Sequence, residues 1–351
     1  MEKFLCVQDF YEAAKSKLTK DSNGSWEYFE GIPDEGWALD QNRKAFKRYV
    51  IRPRILRDVS AINLTTTILG IPASIPIGVA PTSKQALFHP DGECGVARAA
   101  GRSGAIYVLS TLATASIEEV AAAAPKTRLW FQLYYQKDIE VNKDLLIRAE
   151  KSGYEAVVLT VDCQIPANRL GFKRKPWKLP EMQEQQVPED MDPSMDWNVV
   201  KWIREQTKMK LILKGILTGE DAKLAVEHGV DAIIVSNHGG RQLDSVMPAI
   251  DVLPEVVAST KSSNVEVYLD GGITLGSDVF KALALGAKMV FIGRTALAGL
   301  TVGGEQGAAK VLEILTNELD KTMALAGVTD LGSNISSKFI QNYKPFLSSD
   351  Y

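Results

Sequence analysis

Residues 211–240 read LILKGILTGEDAKLAVEHGVDAIIVSNHGG. An apolar run at Leu211–Gly215 is followed by a helical pattern at Glu220–His228 and then by a second apolar run at Ala232–His238. Short, almost continuously apolar strands joined by helices are typical of a parallel sheet that is covered on both faces. The segment therefore predicts one strand–helix–strand unit of such a sheet.

The same alternation continues through most of the chain. Six further strand-like runs lie at Pro76–Pro81, Ala105–Ser110, Leu129–Tyr134, Ala156–Asp162, Glu266–Gly271 and Met289–Gly293. Helical patterns between or after them include Ser116–Ala124, Lys143–Ser152, Ser277–Leu285 and Glu305–Ala326. Eight such units predict an α/β fold, a closed (β/α)8 TIM barrel over residues 74–327. An open doubly wound sheet is the alternative, but no G-x-G-x-x-G motif follows the first strand.

Two segments fall outside this repeat. Residues 1–70 predict a helical lead-in, with helical spacing at Val7–Leu18 before a stretch broken by Gly and Pro. Residues 174–196, after the fourth strand, are polar and have no clear periodicity. A long loop on the carboxyl face of a barrel predicts an active-site lid or a partner surface, with a solvated loop as the alternative. We interpret residues 1–351 as a single domain.

Composition excludes several classes of partner. The formal net charge is −3, so no basic excess indicates binding to nucleic acid or to an anionic membrane. The three cysteines, Cys6, Cys94 and Cys163, are too far apart for a disulfide framework or a metal motif, and we expect no metal. The sequence has no signal-peptide core, no membrane-length apolar run and no Ser-Lys-Leu type of peroxisomal address at its end, so we expect a cytoplasmic protein.

Polar residues collect at the predicted carboxyl ends of the strands, where barrels carry their active sites. Because these ends surround one mouth, we expect their side chains to converge. The residues concerned are Gln132, Tyr134, Thr160, Asp162, Lys214, Ser236, His238, Arg241, Asp270, Gly271, Gly272, Gly293 and Arg294.

The last two strands predict a phosphate site. Gly271 and Gly272 allow backbone N–H groups to approach a ligand, and a helical pattern follows them. Arg294, after Gly293, adds a guanidinium suited to bidentate phosphate contact. A phosphorylated cofactor or substrate is therefore expected. The alternative is that the glycines merely end the two strands, but this alternative does not explain Arg294.

The middle strands predict acid–base chemistry. Arg241 could hold a carboxylate while His238 faces the adjacent carbon, and Asp162 could orient the imidazole. Lys214 suits an anion that forms during a reaction. Its alternative role is that of a Schiff-base lysine, as in barrel aldolases.

The segment Ser236–Asp244, SNHGGRQLD, resembles the signature of the FMN-dependent α-hydroxy-acid oxidase/dehydrogenase family, which includes glycolate oxidase and lactate oxidase. Further agreement is found in NRKAF at 42–46, RPR at 52–54, APT at 80–82, TVD at 160–162 and DVFKALALGA at 278–287. The resemblance implies an FMN enzyme that oxidises a small L-2-hydroxy acid to the 2-oxo acid. Oxygen is the simpler electron acceptor, another carrier is the alternative, and a tetramer is implied.

The resemblance also implies roles for individual residues. His238 is the implied base, Asp162 its support, and Lys214 the neighbour of the flavin N1/O2 edge. The implied substrate contacts are Arg169, Arg241, Tyr28, Tyr134 and Leu112. The implied FMN contacts are Ala80, Pro81, Thr82, Ser110, Gln132, Thr160, Ser236, Asp270, Gly271, Gly272, Gly293 and Arg294. Whether His238 takes the hydroxyl proton or the α-carbon proton stays open.

Some positions depart from the family pattern. Leu112 stands where glycolate oxidases usually carry Trp, which predicts a pocket open to lactate or to bulkier substrates. Thr274 stands where a basic residue usually assists the phosphate, which predicts weaker FMN binding, and Ser83 replaces a usual Ala close to the flavin.

Competing hypotheses for the function are an FMN isomerase or nitronate oxidase, an aldolase that uses Lys214, and a flavin-binding scaffold without turnover.

Overall fold

Eight parallel strands close into a barrel in the computed structural model, which describes residues 1–20, 24–174, 190–332 and 334–343. Each strand pairs with the next along the chain, and the last pairs with the first, Val290 lying opposite Ile77. The predicted TIM barrel is therefore confirmed. The strands are β1 (Ile77–Val79), β2 (Ile106–Leu109), β3 (Leu129–Leu133), β4 (Ala156–Thr160), β5 (Lys210–Ile216), β6 (Ala232–Val235), β7 (Glu266–Asp270) and β8 (Met289–Ile292).

Large apolar side chains fill the barrel interior. Trp130 lies at its centre. The centroid of its ring is 5.8 Å from the ring centroid of Tyr268 and 5.5 Å from that of Phe291. Val158 and Ile212 belong to the same buried cluster. Because side chains alternate across a strand, residues two positions further on point inward as well. These inward residues are polar: Gln132, Thr160, Lys214 and Asp270. The alternation of side chains along the strands therefore places a polar layer directly above the apolar layer.

Helices surround the barrel and precede it. Their bounds are α1 (Val7–Leu18), α2 (Ser25–Glu30), α3 (Trp37–Ala45), α4 (Gly92–Arg102), α5 (Ile117–Ala123), α6 (Ile139–Lys151), α7 (Leu170–Arg174), α8 (Asn198–Gln206), α9 (Gly219–Glu227), α10 (Ala249–Thr260), α11 (Gly276–Ala284) and α12 (Arg294–Ala326). One predicted start was late. The predicted Lys143–Ser152 helix begins at Ile139, where the side chain of Asp138 accepts a hydrogen bond from the Glu140 N–H. The predicted Glu305–Ala326 helix is the second part of α12, which is kinked at Gly303 and Gly304.

Short strands complete the fold outside the barrel. Tyr49–Ile51 pairs antiparallel with Ile340–Asn342, and Thr66–Ile68 forms a hairpin with Ile71–Ala73. Ile68 and Ala73 pack with the interior cluster, so the hairpin covers one end of the barrel. Most of the predicted lid, residues 175–189, lies outside the described residues, and the lid remains a prediction. No helix in the described ranges has both the length and the apolar character to cross a bilayer.

The lead-in is fastened to the loop after β6 through Asp244. Its carboxylate accepts hydrogen bonds at the start of α3 from the N–H groups of Gly36 (2.9 Å), Trp37 (3.2 Å) and Ala38 (2.7 Å). A negative charge is favourable at a helix N-terminus. Burial acts to raise the pKa of Asp244, but these backbone donors and that of Ser245 hold it below its ordinary value. The folded state therefore stabilises the ionised carboxylate.

Asp244→Asn should lower the free energy of unfolding by about 1–3 kcal/mol, because the charged acceptor of several N–H groups is lost. Chemical denaturation at pH 7 measures this, with Glu35→Gln, at a nearby exposed position, as the control. The folded-state pKa of Asp244 is lowered, so its stabilisation is complete above the unfolded pKa of about 4 and is lost as the pH falls further. Equal stabilities of the two variants at pH 7 would contradict this account.

Candidate active site

A cavity of about 490 Å³ lies at the carboxyl ends of the strands. Its lining includes Tyr134, His238 and Arg241, and also Gly272 and Arg294. The lead-in covers it, because residues of α1, α2 and α3 also border it. The predicted residues that border the cavity are Tyr28, Ala80, Pro81, Thr82, Leu112, Tyr134, Thr160, Arg169, Lys214, His238, Arg241, Asp270, Gly271, Gly272, Gly293 and Arg294.

The imidazole of His238 is held from both ring nitrogens. Nδ1 lies 3.1 Å from Oδ1 of Asp162, and Nε2 lies 3.3 Å from the hydroxyl of Tyr134. Burial raises the pKa of Tyr134 well above its ordinary value, so this hydroxyl stays protonated and can donate a hydrogen bond. The contacts favour the tautomer in which Nδ1–H donates to Asp162 and Nε2 carries the lone pair. Nε2 is therefore the nitrogen that can accept a proton.

The charges around His238 favour its neutral form at rest. Burial lowers its pKa, Asp162 opposes that effect, and the cations Lys214 and Arg169 add to it, leaving the pKa below its ordinary value of 6.5. For Asp162, burial would raise the pKa, but His238 and Lys214 hold it below its ordinary value. At neutral pH the pair is thus a neutral imidazole hydrogen-bonded to a carboxylate, the arrangement required of a general base.

Lys214 is a buried cation at the floor of the cavity. Its Nζ donates to Oγ of Ser236 (3.0 Å) and lies 3.5 Å from Oδ2 of Asp270. Burial acts to lower its pKa, but Asp270 and Asp162 raise it above its ordinary value. The ammonium is therefore charged at neutral pH and can stabilise an anionic group above it.

Two guanidinium groups lie close to the imidazole. Arg241 donates from Nη1 to the backbone carbonyls of Tyr28 and Phe29 (both 3.1 Å). Arg169 donates from Nε to the carbonyl of Arg241 (3.0 Å) and from Nη2 to Oε1 of Gln242 (3.1 Å). Burial, then the charges of Arg169 and Arg294, lower the pKa of Arg241 to about 9. Clustered cations that border one cavity suit an anionic ligand.

Tyr28, from α2, reaches the same region. Its ring lies 5.5 Å from the guanidinium carbon of Arg241, and its hydroxyl donates to Oγ of Ser83 (3.0 Å). The sequence assigned Ser83 no role beyond its departure from the family pattern. In the structure it holds the hydroxyl of a predicted substrate-binding residue.

Three predicted FMN contacts, all within the described residues, are buried beside the cavity without bordering it. Ser110 accepts from the N–H of Leu112 (3.2 Å), and Gln132 donates to Oγ1 of Thr160 (3.0 Å). Ser236 accepts from Lys214, as described above. Their neighbours border the cavity directly, so these three side chains orient its walls.

The part of the cavity lined by Gly272 and Arg294, the phosphate end, has the properties of a phosphate site. Gly272 has φ +83°, and a Cβ atom there would lie 2.3 Å from the carbonyl oxygen of Asn42. Arg294 begins α12 and donates from Nη2 to the carbonyl of Gly239 (2.8 Å). Nε of Arg294 and Oδ1 of Asp270 are buried and have no hydrogen-bond partner among the described residues. A helix start, a close-approach turn and an unsatisfied guanidinium N–H fit a phosphorylated ligand such as FMN.

Apart from Tyr28, sequence reasoning missed the contribution of the lead-in to the site. The amides of Asn42 and Asn237 form a reciprocal pair at 2.8 and 2.9 Å, which joins α3 to the loop that carries His238. Arg43 and Lys47 border the cavity, as does Lys84, which is buried. The motifs at 42–46 and 52–54 pointed to the lead-in, but they did not indicate where Arg43 and Lys47 lie in the fold.

The comparisons with known proteins agree with this geometry. The family model described as FMN-dependent dehydrogenase matches residues 14–342. The chain is 45% identical over 348 residues to 2-hydroxyacid oxidase 2 of Homo sapiens (94% of this chain, 97% of the relative). It is 43% identical over 352 residues to glycolate oxidase 3 of Oryza sativa subsp. indica (94% and 95%). A solved mandelate oxidase variant with (S)-mandelic acid superposes with a TM-score of 0.89 at 38% identity (96% and 98%).

Gly272→Ala should destabilise the protein more than Gly153→Ala. Both glycines have φ +83°, so each alanine carries a backbone cost of about 1–2 kcal/mol. Nothing lies within 4 Å of a Cβ at Gly153, whereas the clash with Asn42 at Gly272 should add about 1–3 kcal/mol. Urea unfolding of the two variants measures the difference, and equal losses would show that the close approach of α3 is wrong.

Proposed function

The chain belongs to the FMN-dependent dehydrogenase family, and we propose that it oxidises small L-2-hydroxy acids to 2-oxo acids with oxygen as electron acceptor. One observation carries the proposal: a neutral imidazole oriented by a carboxylate borders the same cavity as two guanidinium groups. The names of the relatives, 2-hydroxyacid oxidase and glycolate oxidase, support both the substrate class and the acceptor.

FMN, when bound, accepts the two electrons that leave the substrate. The glycine turns at Gly272 and Gly293 and the guanidinium of Arg294 would hold its phosphate. Lys214 would supply a positive charge beside its ring system, and Ala80, Pro81 and Thr82 would lie against the ring. The buried, unsatisfied Nε of Arg294 supports this assignment.

Arg169 and Arg241 bind the substrate carboxylate in this proposal. Each charge-assisted contact contributes about 1.5–3 kcal/mol, which selects 2-hydroxy acids over neutral alcohols. The hydroxyl groups of Tyr28 and Tyr134 complete the contacts to the substrate. Because Arg241 is held by two backbone carbonyls of the lead-in, its position does not depend on the substrate.

His238 takes a proton from the substrate at Nε2. The hydroxyl proton and the α-carbon proton are the two candidates, and either leaves an imidazolium. Asp162, hydrogen-bonded at Nδ1, stabilises the charge that the ring acquires. Tyr134 keeps the ring plane fixed, since the two rings lie nearly parallel with centroids 6.4 Å apart.

Further parts of the proposal concern the whole protein. We propose that residues 1–351 form one domain and that the protein is a cytoplasmic tetramer. The family resemblance supports the tetramer.

L-Lactate mixed anaerobically with the FMN-loaded protein should bleach its visible absorbance, whereas D-lactate should not. Readmission of oxygen should restore the colour with one peroxide per turnover. A protein that binds FMN but is bleached by neither enantiomer would contradict the proposed reaction.

His238→Ala should stay yellow and lose about 10²–10⁴-fold in kcat, because the base is removed and the FMN contacts are kept. His228→Ala, an exposed histidine, is the matched control and should turn over normally. Steady-state peroxide release measures both, and normal turnover by His238→Ala would refute the assignment of the base.

Leu112→Trp should narrow the cavity and change the substrate preference. Leu112 is buried and borders the cavity, so a larger side chain there occupies space otherwise open to substrate. We expect kcat/KM for L-2-hydroxyoctanoate to fall at least about tenfold relative to glycolate. An unchanged ratio would mean that Leu112 does not limit the pocket.

A further inference from the structure

We propose that Arg43 and Lys47, in the segment that leads into the barrel, bind the FMN phosphate together with Arg294. The proposal rests on the FMN site described above and assigns cations that the barrel strands do not provide. Arg43 lies in the last turn of α3, and Lys47 in the short 3₁₀ helix Phe46–Arg48 that follows it.

The charge of the ligand motivates the proposal. A phosphate monoester carries about −1.5 to −2 charges at pH 7. Of the described residues that follow β7 and β8 and border the phosphate end, Arg294 is the one that bears a positive charge. Thr274 is neutral, and its N–H and hydroxyl face Oδ2 of Asp278 at 3.1 and 3.4 Å. The barrel alone therefore leaves about one negative charge unbalanced.

The lead-in lies directly on the phosphate turn. A Cβ atom at Gly272 would meet the carbonyl of Asn42 at 2.3 Å and the ring of Phe46 at 3.1 Å. Arg43 follows Asn42 in the chain, and Lys47 follows Phe46. Both border the same cavity as Gly272, Thr274 and Arg294, so two exposed cationic side chains lie close to the glycine turn.

Arg43 contacts one ring and forms one long ion pair. Its guanidinium carbon lies over the ring of Tyr11 at 4.8 Å, and its nearest carboxylate oxygen, on Glu30, is 4.0 Å away. Glu30 also accepts a hydrogen bond from the hydroxyl of Tyr11. Burial and the positive charge of Arg43 lower the pKa of Arg294 to about 10, while Glu30 opposes them. A phosphate between the two guanidinium groups replaces this repulsion with two attractions.

The chain offers a matched control on the same helix. Lys44 is exposed and forms an ion pair with Asp40 at 2.6 Å, one turn back on α3. It does not belong to the described residues that border the cavity. Lys44→Gln therefore removes one positive charge close to Arg43 without touching the cavity wall.

The test is a titration of apoprotein with FMN and with riboflavin, which lacks the phosphate, followed by quenching of flavin fluorescence. Arg43→Gln and Lys47→Gln should each raise the Kd for FMN about tenfold at low salt and leave the Kd for riboflavin unchanged. Lys44→Gln should change neither Kd. High salt should reduce the difference between wild type and the two variants, because the rim is exposed to solvent.

Two charge-restoring variants separate a binding role from a folding defect. Arg43→Lys should keep FMN affinity near that of wild type. Thr274→Lys, placed in the doubly substituted Arg43→Gln, Lys47→Gln protein, should recover most of the lost affinity, because it adds a cation next to the glycine turn that the phosphate would occupy.

An unchanged Kd for FMN in both Arg43→Gln and Lys47→Gln would overturn the proposal and leave the FMN site intact. Equal weakening of FMN and riboflavin would also overturn it, since the phosphate would then not be the group recognised. A wild-type apoprotein that bound no FMN would overturn the cofactor assignment itself.

Discussion

The contact between Asp162 and the imidazole of His238 sets the charge balance of the whole cavity. Burial, and then Lys214 and Arg169, lower the pKa of His238, whereas the carboxylate raises it, so the ring is neutral at rest and can still accept a proton. Asp270 and then Asp162 raise the pKa of Lys214, which remains charged although it is buried. Two carboxylates among several cations thus let a neutral base, a charged lysine and two carboxylate-binding groups lie close together.

The fold produces this arrangement from two separate sources. The strand period places Lys214 and Asp270 above the apolar layer around Trp130, so the barrel alone supplies the floor. The groups at the edge of the cavity are positioned by contacts with the lead-in. The backbone carbonyls of Tyr28 and Phe29 hold Arg241, and Asn42 and Asp244 join α3 to the loop that carries His238. The segment before the barrel is therefore part of the active site.

Much of the barrel could be predicted from sequence, because apolar runs of strand length and helical spacing are local signals. All eight strands and the helix Val7–Leu18 were predicted, and the polar residues at strand ends were expected to meet because parallel strands share one edge. The lead-in could not be placed in this way. Helix α3 starts after two glycines and a proline within six residues, and its N-terminal donors are satisfied by Asp244, more than 200 residues away in sequence. Arg43 and Lys47 were missed for the same reason, since the packing of the lead-in on the barrel brings them to the cavity, whereas Lys84 was missed although it lies two residues after the predicted Thr82.

The central claim is that His238 acts as a neutral base whose proton affinity is maintained by Asp162. The most direct measurement is the pH dependence of kcat/KM for L-lactate in wild type and in Asp162→Asn, because kcat/KM reports the titration of the free enzyme. A base is active above its folded-state pKa, so the wild-type profile should fall on its acid side with a midpoint below 6.5. In Asp162→Asn the midpoint should move to lower pH, since the anion that raises the pKa is gone. A midpoint that stayed in place or moved upward would contradict the account.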